Sequence, residues 1–409
     1  MSRAFVRECG GAEVARQPRG QHDRTEGEND RRGDQERSEE RQGTPDAGRP
    51  ENPESPHSTC IGAHKVDFER HGVDSILVDL DVVFLGTSGS MPTARRALPA
   101  TLVRRGGERL LFDCSEGTQR QLLRSDVGLV DLEEIFLTHY HADHYLGLPG
   151  MLKTFALRGR DVPLAIYGPR GLGDLMGTLR RVFGRLTYPV NTVELSPGNR
   201  LERDGYRIEA FAVEHGVSAI GYALVESDRP GRFDVDVADR LGVPPGRERG
   251  VLQRGESVTL DDGRVVSPAD VLGSPRGGRK LVLSGDTAPT ASVIEAATGA
   301  DLLVHEATFL ADESERAKET SHSTAGGAAL VAQEAGVKLL ALIHVSTRYF
   351  AHQVVEEATQ LFPATVVPRD FDVVTVPFPE RGEPALVRSG ARSERTPADA
   401  PGTLAEPIL

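Results

Sequence analysis

LTHYHADHYLG, residues 137–147, is where an apolar run ends abruptly in three histidines and an aspartate. The residues before it, EEIFL, have the composition of a short buried strand opened by Glu133 and Glu134. Whatever follows therefore sits at the strand's carboxyl end. In a tight turn, positions i, i+2, i+4 and i+5 direct His139 and His141 one way and Asp143 and His144 another. Two adjacent divalent cations are held in this manner, and neutral imidazole combined with carboxylate suits zinc.

The same pattern recurs along the chain. DVVFLGTSGS (81–90), RLLFDCSEGT (109–118), RIEAFAVEHG (207–216), RKLVLSGDT (279–287), ADLLVHEAT (300–308) and KLLALIHVSTRY (338–349) are each an apolar run followed at once by polar or ionisable residues. Several buried strands thus deliver their chemistry at one end. Helices are expected between them, over GTQRQLLRS (117–125), LGDLMGTLRRVFGRL (172–186), TASVIEAATG (290–299) and STAGGAALVAQEAG (323–336). Strands alternating with helices predict an α/β layered fold with the helices outside. Of the twelve histidines, seven lie at such strand ends: His139, His141, His144, His215, His305, His322 and His344. A single histidine there is more often a hydrogen-bonded structural residue, but the cluster changes the odds. Two metal sites need more ligands than the first turn supplies, and an aspartate with two oxygens can bridge a pair. The count closes with His139, His141, His215 and Asp286 on one metal, and Asp143, His144, Asp286 and His344 on the other.

Composition bounds the rest. A chain of 409 residues with 38% apolar content is enough for a packed core, and no apolar stretch approaches the roughly 18 residues of a membrane span. Cys9, Cys60 and Cys114 are too few and scattered for a disulfide framework, so a cytoplasmic location is expected. The formal net charge of −13 weighs against nucleic acid, but it is a sum over the whole chain. Residues 24–56 contain no Leu, Ile, Val, Phe, Tyr or Met, which predicts a disordered leader, set at residues 1–79. A similar tail is expected over 388–409, leaving a globular domain over 80–387.

The motifs FLGTSGSMPTARR (84–96), LTHYHADH (137–144), VEHGVSAIGY (213–222), LSGDT (283–287), HEATF (305–309), HSTAGGAA (322–329) and HVSTRY (344–349) resemble those of metallo-β-lactamase-fold hydrolases. Within that superfamily they are most similar to ribonuclease Z, the tRNA 3′-processing endonucleases. The resemblance runs from about Val83 to Pro377. It implies an αββα sandwich with the metals at one edge, two zinc ions per subunit, precursor tRNA as substrate and a homodimer. It also implies that the 3′ trailer is removed by metal-activated water, leaving a 3′-hydroxyl on the tRNA. The ligands carried over are the seven already assigned. Asp143 would also accept the proton of the attacking water, His322 would lie near the scissile phosphate, and Glu306 would orient it. The long polar insertion between Val225 and Lys280, taken as residues 228–276, matches the family's flexible tRNA-binding arm. It carries ten basic against nine acidic residues counted from Asp228 to Lys280, and is locally basic at GVPPGRERGVLQRG (242–255). Arg247, Arg249, Arg254 and, in HVSTRY, Arg348 are the expected substrate contacts. LRRVFGRL, with Arg180, Arg181 and Arg185, is either a phosphate contact or an exposed helix face. A general or cyclic-nucleotide phosphodiesterase is the alternative, since the HxHxDH signature is shared across the superfamily.

Overall fold

The computed structural model describes residues 78–129 and 132–389. The expected leader and tail lie outside these residues except for 78, 79, 388 and 389. The described residues begin with β1 (Leu80–Gly86), β2 (Ala100–Arg105), β3 (Glu108–Phe112), α1 (Thr118–Arg124), β4 (Glu134–Phe136), α2 (Ala142–Tyr145) and α3 (Leu148–Leu157). Next come β5 (Leu164–Gly168), α4 (Leu172–Phe183), β6 (Val190–Glu194), β7 (Arg200–Arg203), β8 (Tyr206–Ala212) and β9 (Ile220–Glu226). The insertion then holds α5 (Val235–Leu241), α6 (Arg247–Gln253), β10 (Val258–Thr259), β11 (Val265–Val266) and α7 (Pro268–Val271). After it come β12 (Lys280–Leu283), α8 (Ala291–Ala297), β13 (Leu302–Glu306), α9 (Ser314–Glu319), α10 (Ala325–Ala335), β14 (Leu339–Ile343), α11 (Ala351–Thr359), β15 (Thr365–Val366), β16 (Val373–Thr375) and β17 (Ala385–Val387).

One large sheet has the order β17-β16-β1-β2-β3-β4-β5-β6 and a second the order β15-β14-β13-β12-β9-β8-β7, while β10 and β11 pair by themselves in the insertion. Side-chain alternation with period two explains the layers. Leu80, Val82 and Phe84 of β1 join Ile208, Leu281, Leu302 and Val304 in the core between the sheets. Val83 and Leu85 of the same strand face the other way, onto the layer of α1, α3 and α4 residues. Leu303, Leu340 and Leu342 likewise pack against Val293, Ala329, Val331 and Val354 of α8, α10 and α11. The product is the expected αββα sandwich.

Strands β3 to β6 run parallel, and so do β12 to β15. Parallel strands put their carboxyl ends on one edge, and there β3, β4, β12, β13 and β14 run into Asp113, the His139 turn, Asp286, Thr308 and His344. Below the turn, Phe136 stacks on Phe112 at 4.9 Å and on Tyr167 at 4.7 Å. Tyr222 packs edge-on and donates its hydroxyl to the Leu137 carbonyl at 2.7 Å, fixing the turn to the core. Gly147 closes it: its amide donates to the Cys114 carbonyl at 2.9 Å, and a Cβ there would sit 1.9 Å from the Ser115 oxygen. No helix among the described residues is long and apolar enough to cross a membrane.

Candidate metal centre

The structure brings the seven expected ligands together at this edge. Asp286 Oδ2 lies 3.8 Å from His139 Nε2, 3.3 Å from His144 Nε2 and 3.2 Å from His344 Nε2. On one side of it, His141 Nδ1 sits 3.1 Å from His139 Nε2 and 3.0 Å from His215 Nε2. On the other, Asp143 Oδ2 is 3.4 Å from His344 Nε2 and 3.8 Å from His144 Nε2. Nitrogen ligands of a tetrahedral zinc lie about 3.3 Å apart when each bond is 2.0–2.1 Å. The Asp286 oxygen stands between two groups of the expected membership.

Proton bookkeeping shows that these nitrogens present lone pairs. Asp113 accepts from the Thr138 hydroxyl at 3.0 Å, so the Thr138 oxygen is left to accept from His139 Nδ1 at 3.0 Å. Asp113 also accepts from His144 Nδ1 at 2.8 Å. Across the centre, Glu306 accepts from the Thr308 hydroxyl at 2.6 Å, and that oxygen accepts from His344 Nδ1 at 2.8 Å. His215 Nδ1 donates to the Ser321 carbonyl at 3.2 Å. In all four rings Nδ1 holds the proton and Nε2 is free to bind a cation. His144 Nε2 and His344 Nε2 are buried with no hydrogen-bond partner, a costly state that a metal ion removes. The residues present therefore fit a metal cofactor.

Electrostatics agree in direction. Burial, helped by His144, holds His139 well below the usual imidazole range, and burial with His215 lowers His141. Burial would raise Asp143, but the neighbouring His344 and His144 rings win and hold it well below the usual carboxylate range. Asp286 behaves alike, with His344 and His144 overcoming burial. His144 goes the other way: burial lowers it, yet Asp286 and Asp113 raise it further. At Nε2 of that ring a cation would take the place of a second proton.

Strain concentrates at the same place. Of five non-glycine residues with positive φ among those described, four serve the centre: Ser90 at 59°, Asp113 at 59°, Ser321 at 53° and His344 at 55°. Each such conformation costs about 1 kcal/mol or more, and the contacts here hold it in place. Ser90, for example, turns its amide onto Asp143 Oδ2 at 2.9 Å.

A sequence model of the Metallo-beta-lactamase superfamily matches residues 96–318. A ribonuclease Z from Myxococcus xanthus is 51% identical over 271 residues, 66% of this chain and 88% of that protein. One from Halobacterium salinarum is 48% identical over 305 residues, 74% of this chain and 99% of its own length. Among solved structures, the short form of human tRNase Z has a TM-score of 0.52 at 28% identity, covering 73% of this chain and 99% of that one. The chain belongs to the ribonuclease Z family.

Beside the cluster lies the pair that the ribonuclease Z resemblance implied. His322 Nδ1 donates to Glu306 Oε1 at 2.6 Å, and the backbone amides of Thr287 and Thr308 also donate to Glu306, at 3.1 and 3.0 Å. Burial lowers the proton affinity of His322, but the Glu306 carboxylate overrides it and pushes the pKa up to about 9. The His322 ring lies 5.0 Å from that of His215 and 5.5 Å from that of His344. His305, also at a strand end, takes no part: it is fully buried and its Nδ1 donates to the Glu306 carbonyl at 2.8 Å.

The arginines divide. Arg247 and Arg254 are exposed on the insertion. The Arg249 guanidinium is engaged within it, by the Asp239 carboxylate and by the Val243 carbonyl at 2.9 Å. Arg348 is half-exposed beside Glu313 at 3.3 Å and lies 5.9 Å from the centre of the Phe309 ring. Arg180, Arg181 and Arg185 are exposed on and just after α4.

Sequence reading left Asp113, Thr138, Thr308 and Ser321 unassigned. A signal existed for two of them: Asp113 ends an apolar run in RLLFDCSEGT, and Thr308 lies in HEATF. Ser321 acts through its carbonyl, which no side-chain pattern reveals.

Proposed function

We infer that this chain is a metal-dependent endoribonuclease that removes the 3′ trailer from precursor tRNA and leaves a 3′-hydroxyl on the tRNA. The observation that carries the reading is the convergence of the two ligand groups on Asp286 Oδ2 beside the Glu306–His322 pair, in a chain of the ribonuclease Z family. Two zinc ions per subunit are proposed, one on His139, His141, His215 and Asp286, the other on Asp143, His144, Asp286 and His344. When bound, such a pair neutralises the phosphodiester and lowers the pKa of water toward 7. Asp143, pinned by the Ser90 amide, takes the proton of the attacking water. The new bond joins that oxygen to phosphorus, and the bond to the 3′ oxygen of the tRNA body breaks. His322, kept protonated by Glu306, gives its proton to that departing oxygen.

Substrate selection belongs to the insertion over 228–276, read as the tRNA-binding arm. Arg247, Arg254 and Arg348 are proposed substrate contacts, and Arg249 contributes by bracing the arm's own fold. A homodimer and a cytoplasmic location complete the reading; sedimentation should show a species of twice the chain mass. The decisive assay incubates purified, zinc-loaded protein with a 3′-extended tRNA precursor and with bis(p-nitrophenyl) phosphate, then maps the RNA ends. Cleavage next to the tRNA body is expected, and turnover of the small ester alone would instead indicate a general phosphodiesterase. A chain lacking residues 228–276 should process no tRNA yet retain small-ester hydrolysis.

A further inference from the structure

The insertion leaves the sheet after Glu226 and returns at Arg279, and its root is tied to the fold at an unexpected place. Arg229 and Arg276 pair across the two limbs of the stalk, each amide donating to the other's carbonyl, at 2.7 and 2.9 Å. Both side chains then turn onto one carboxylate. Arg229 grips Glu380 with two parallel bonds, Nη1 to Oε1 at 2.8 Å and Nη2 to Oε2 at 2.9 Å, and Arg276 Nη1 adds a third to Oε1 at 3.1 Å. The Arg229 guanidinium also lies 3.5 Å from the centre of the Phe378 ring, which Arg279 approaches at 3.9 Å. Arg279 is itself buried and doubly bonded to Glu226, at 2.7 and 2.8 Å.

Most exposed ion pairs contribute little to stability, because solvent screens them and holding two long side chains costs entropy. A two-pronged arginine–carboxylate bond stacked on an aromatic ring is the exception, since its geometry is already fixed. Glu380 stands in a short turn, Pro379–Arg381, distant in sequence from the stalk. It contributes nothing to the metal centre. What it joins are the two limbs of the stalk, through Arg229 and Arg276.

We propose that Glu380 is a positioning residue for RNA recognition, clamping both limbs of the stalk so that the arm is presented to precursor tRNA at one angle. The proposal rests on reading residues 228–276 as the RNA-binding arm. It carries an unusual sign. Removing a carboxylate near RNA and freeing two arginines should tighten binding if only the electrostatic field mattered. If the clamp matters, the same change weakens binding, because the arm must be ordered anew at each encounter.

The test uses the full, zinc-loaded chain and Glu380→Ala. The KM for precursor tRNA should rise about tenfold with kcat little changed, as expected when preorganisation is lost. Turnover of bis(p-nitrophenyl) phosphate should be unaltered, the Arg229 and Arg276 amides should exchange hydrogen faster, and Glu380→Asp should recover most of the affinity. An unchanged or lowered KM would overturn the clamp, and so would a parallel loss of small-ester turnover, which would make Glu380 a support of the core. If the chain lacking residues 228–276 processes tRNA normally, the arm reading itself fails, a result separate from any outcome with Glu380→Ala.

Discussion

Two threonine hydroxyls decide which nitrogens of the centre face a cation. Thr308 has one proton and gives it to Glu306, so its oxygen must accept from His344 and leaves Nε2 bare. Thr308→Val should therefore weaken metal binding by about 10- to 100-fold, the usual effect of losing such an outer partner, and Thr308→Ser should restore it. Competition against a chelator measures this independently of turnover. Glu306 acts on the proton supply. Its carboxylate raises His322 to about 9 against the opposing effect of burial, so if His322 is the proposed proton donor, kcat for RNA should fall as pH climbs through the alkaline range. In Glu306→Gln burial is less opposed, and the alkaline limb of kcat for RNA should move to lower pH. A p-nitrophenolate leaving group needs no proton, so the small ester should show no such shift. The seven proposed ligands could be picked out in the sequence because they follow four apolar runs, in LTHYHADH, AVEHG, LSGDT and LIHVS. Thr138 could not be, since a residue that orients a ligand needs no particular spacing from it.

At the scale of elements, the insertion departs most from its appearance in sequence. Its mixed charge and many glycines and prolines describe a polar excursion, yet Ala238, Val243, Leu252, Val258, Val266 and Val271 form a buried cluster of their own. Asp234 caps α5 by accepting from the Val237 amide at 2.9 Å, and Ser267 with Asp270 caps α7. The apolar residues are spread over three short helices and a two-stranded ribbon, so no window long enough for a periodic pattern exists. Leu252 is fully buried, and Leu252→Ala should cost the arm about 2–4 kcal/mol of local stability. Amide exchange should accelerate within residues 234–272 and remain slow in β12 to β14. Uniform acceleration would show that the arm has no stability of its own. The long helices α4 and α10 and the strands β4, β12, β13 and β14 were readable from patterns that the insertion lacks.

For the whole molecule, the proposed ligands come from the ends of β4, β12 and β14, the loop after β8 and the start of α2, so bound metal would tie together residues between 139 and 344. The layering of strands and outer helices was readable from the strand–helix succession and the αββα arrangement was implied by the family resemblance, whereas the sheet order was not, because β16 and β17 pair beside β1 from the far end of the described residues. Anything that binds the folded state alone stabilises it, by about 2.7 kcal/mol when present at 100 times its dissociation constant. Chelation should therefore lower the melting temperature by several degrees, and added zinc should restore it. The most direct measurement is the metal content of the purified chain after equilibration with zinc and removal of excess. Two ions per chain are expected, with marked loss of both in Asp286→Ala, since Oδ2 of that residue stands between the two groups. A wild-type chain that retains one ion or none, or an Asp286→Ala chain that keeps both, would contradict the shared centre.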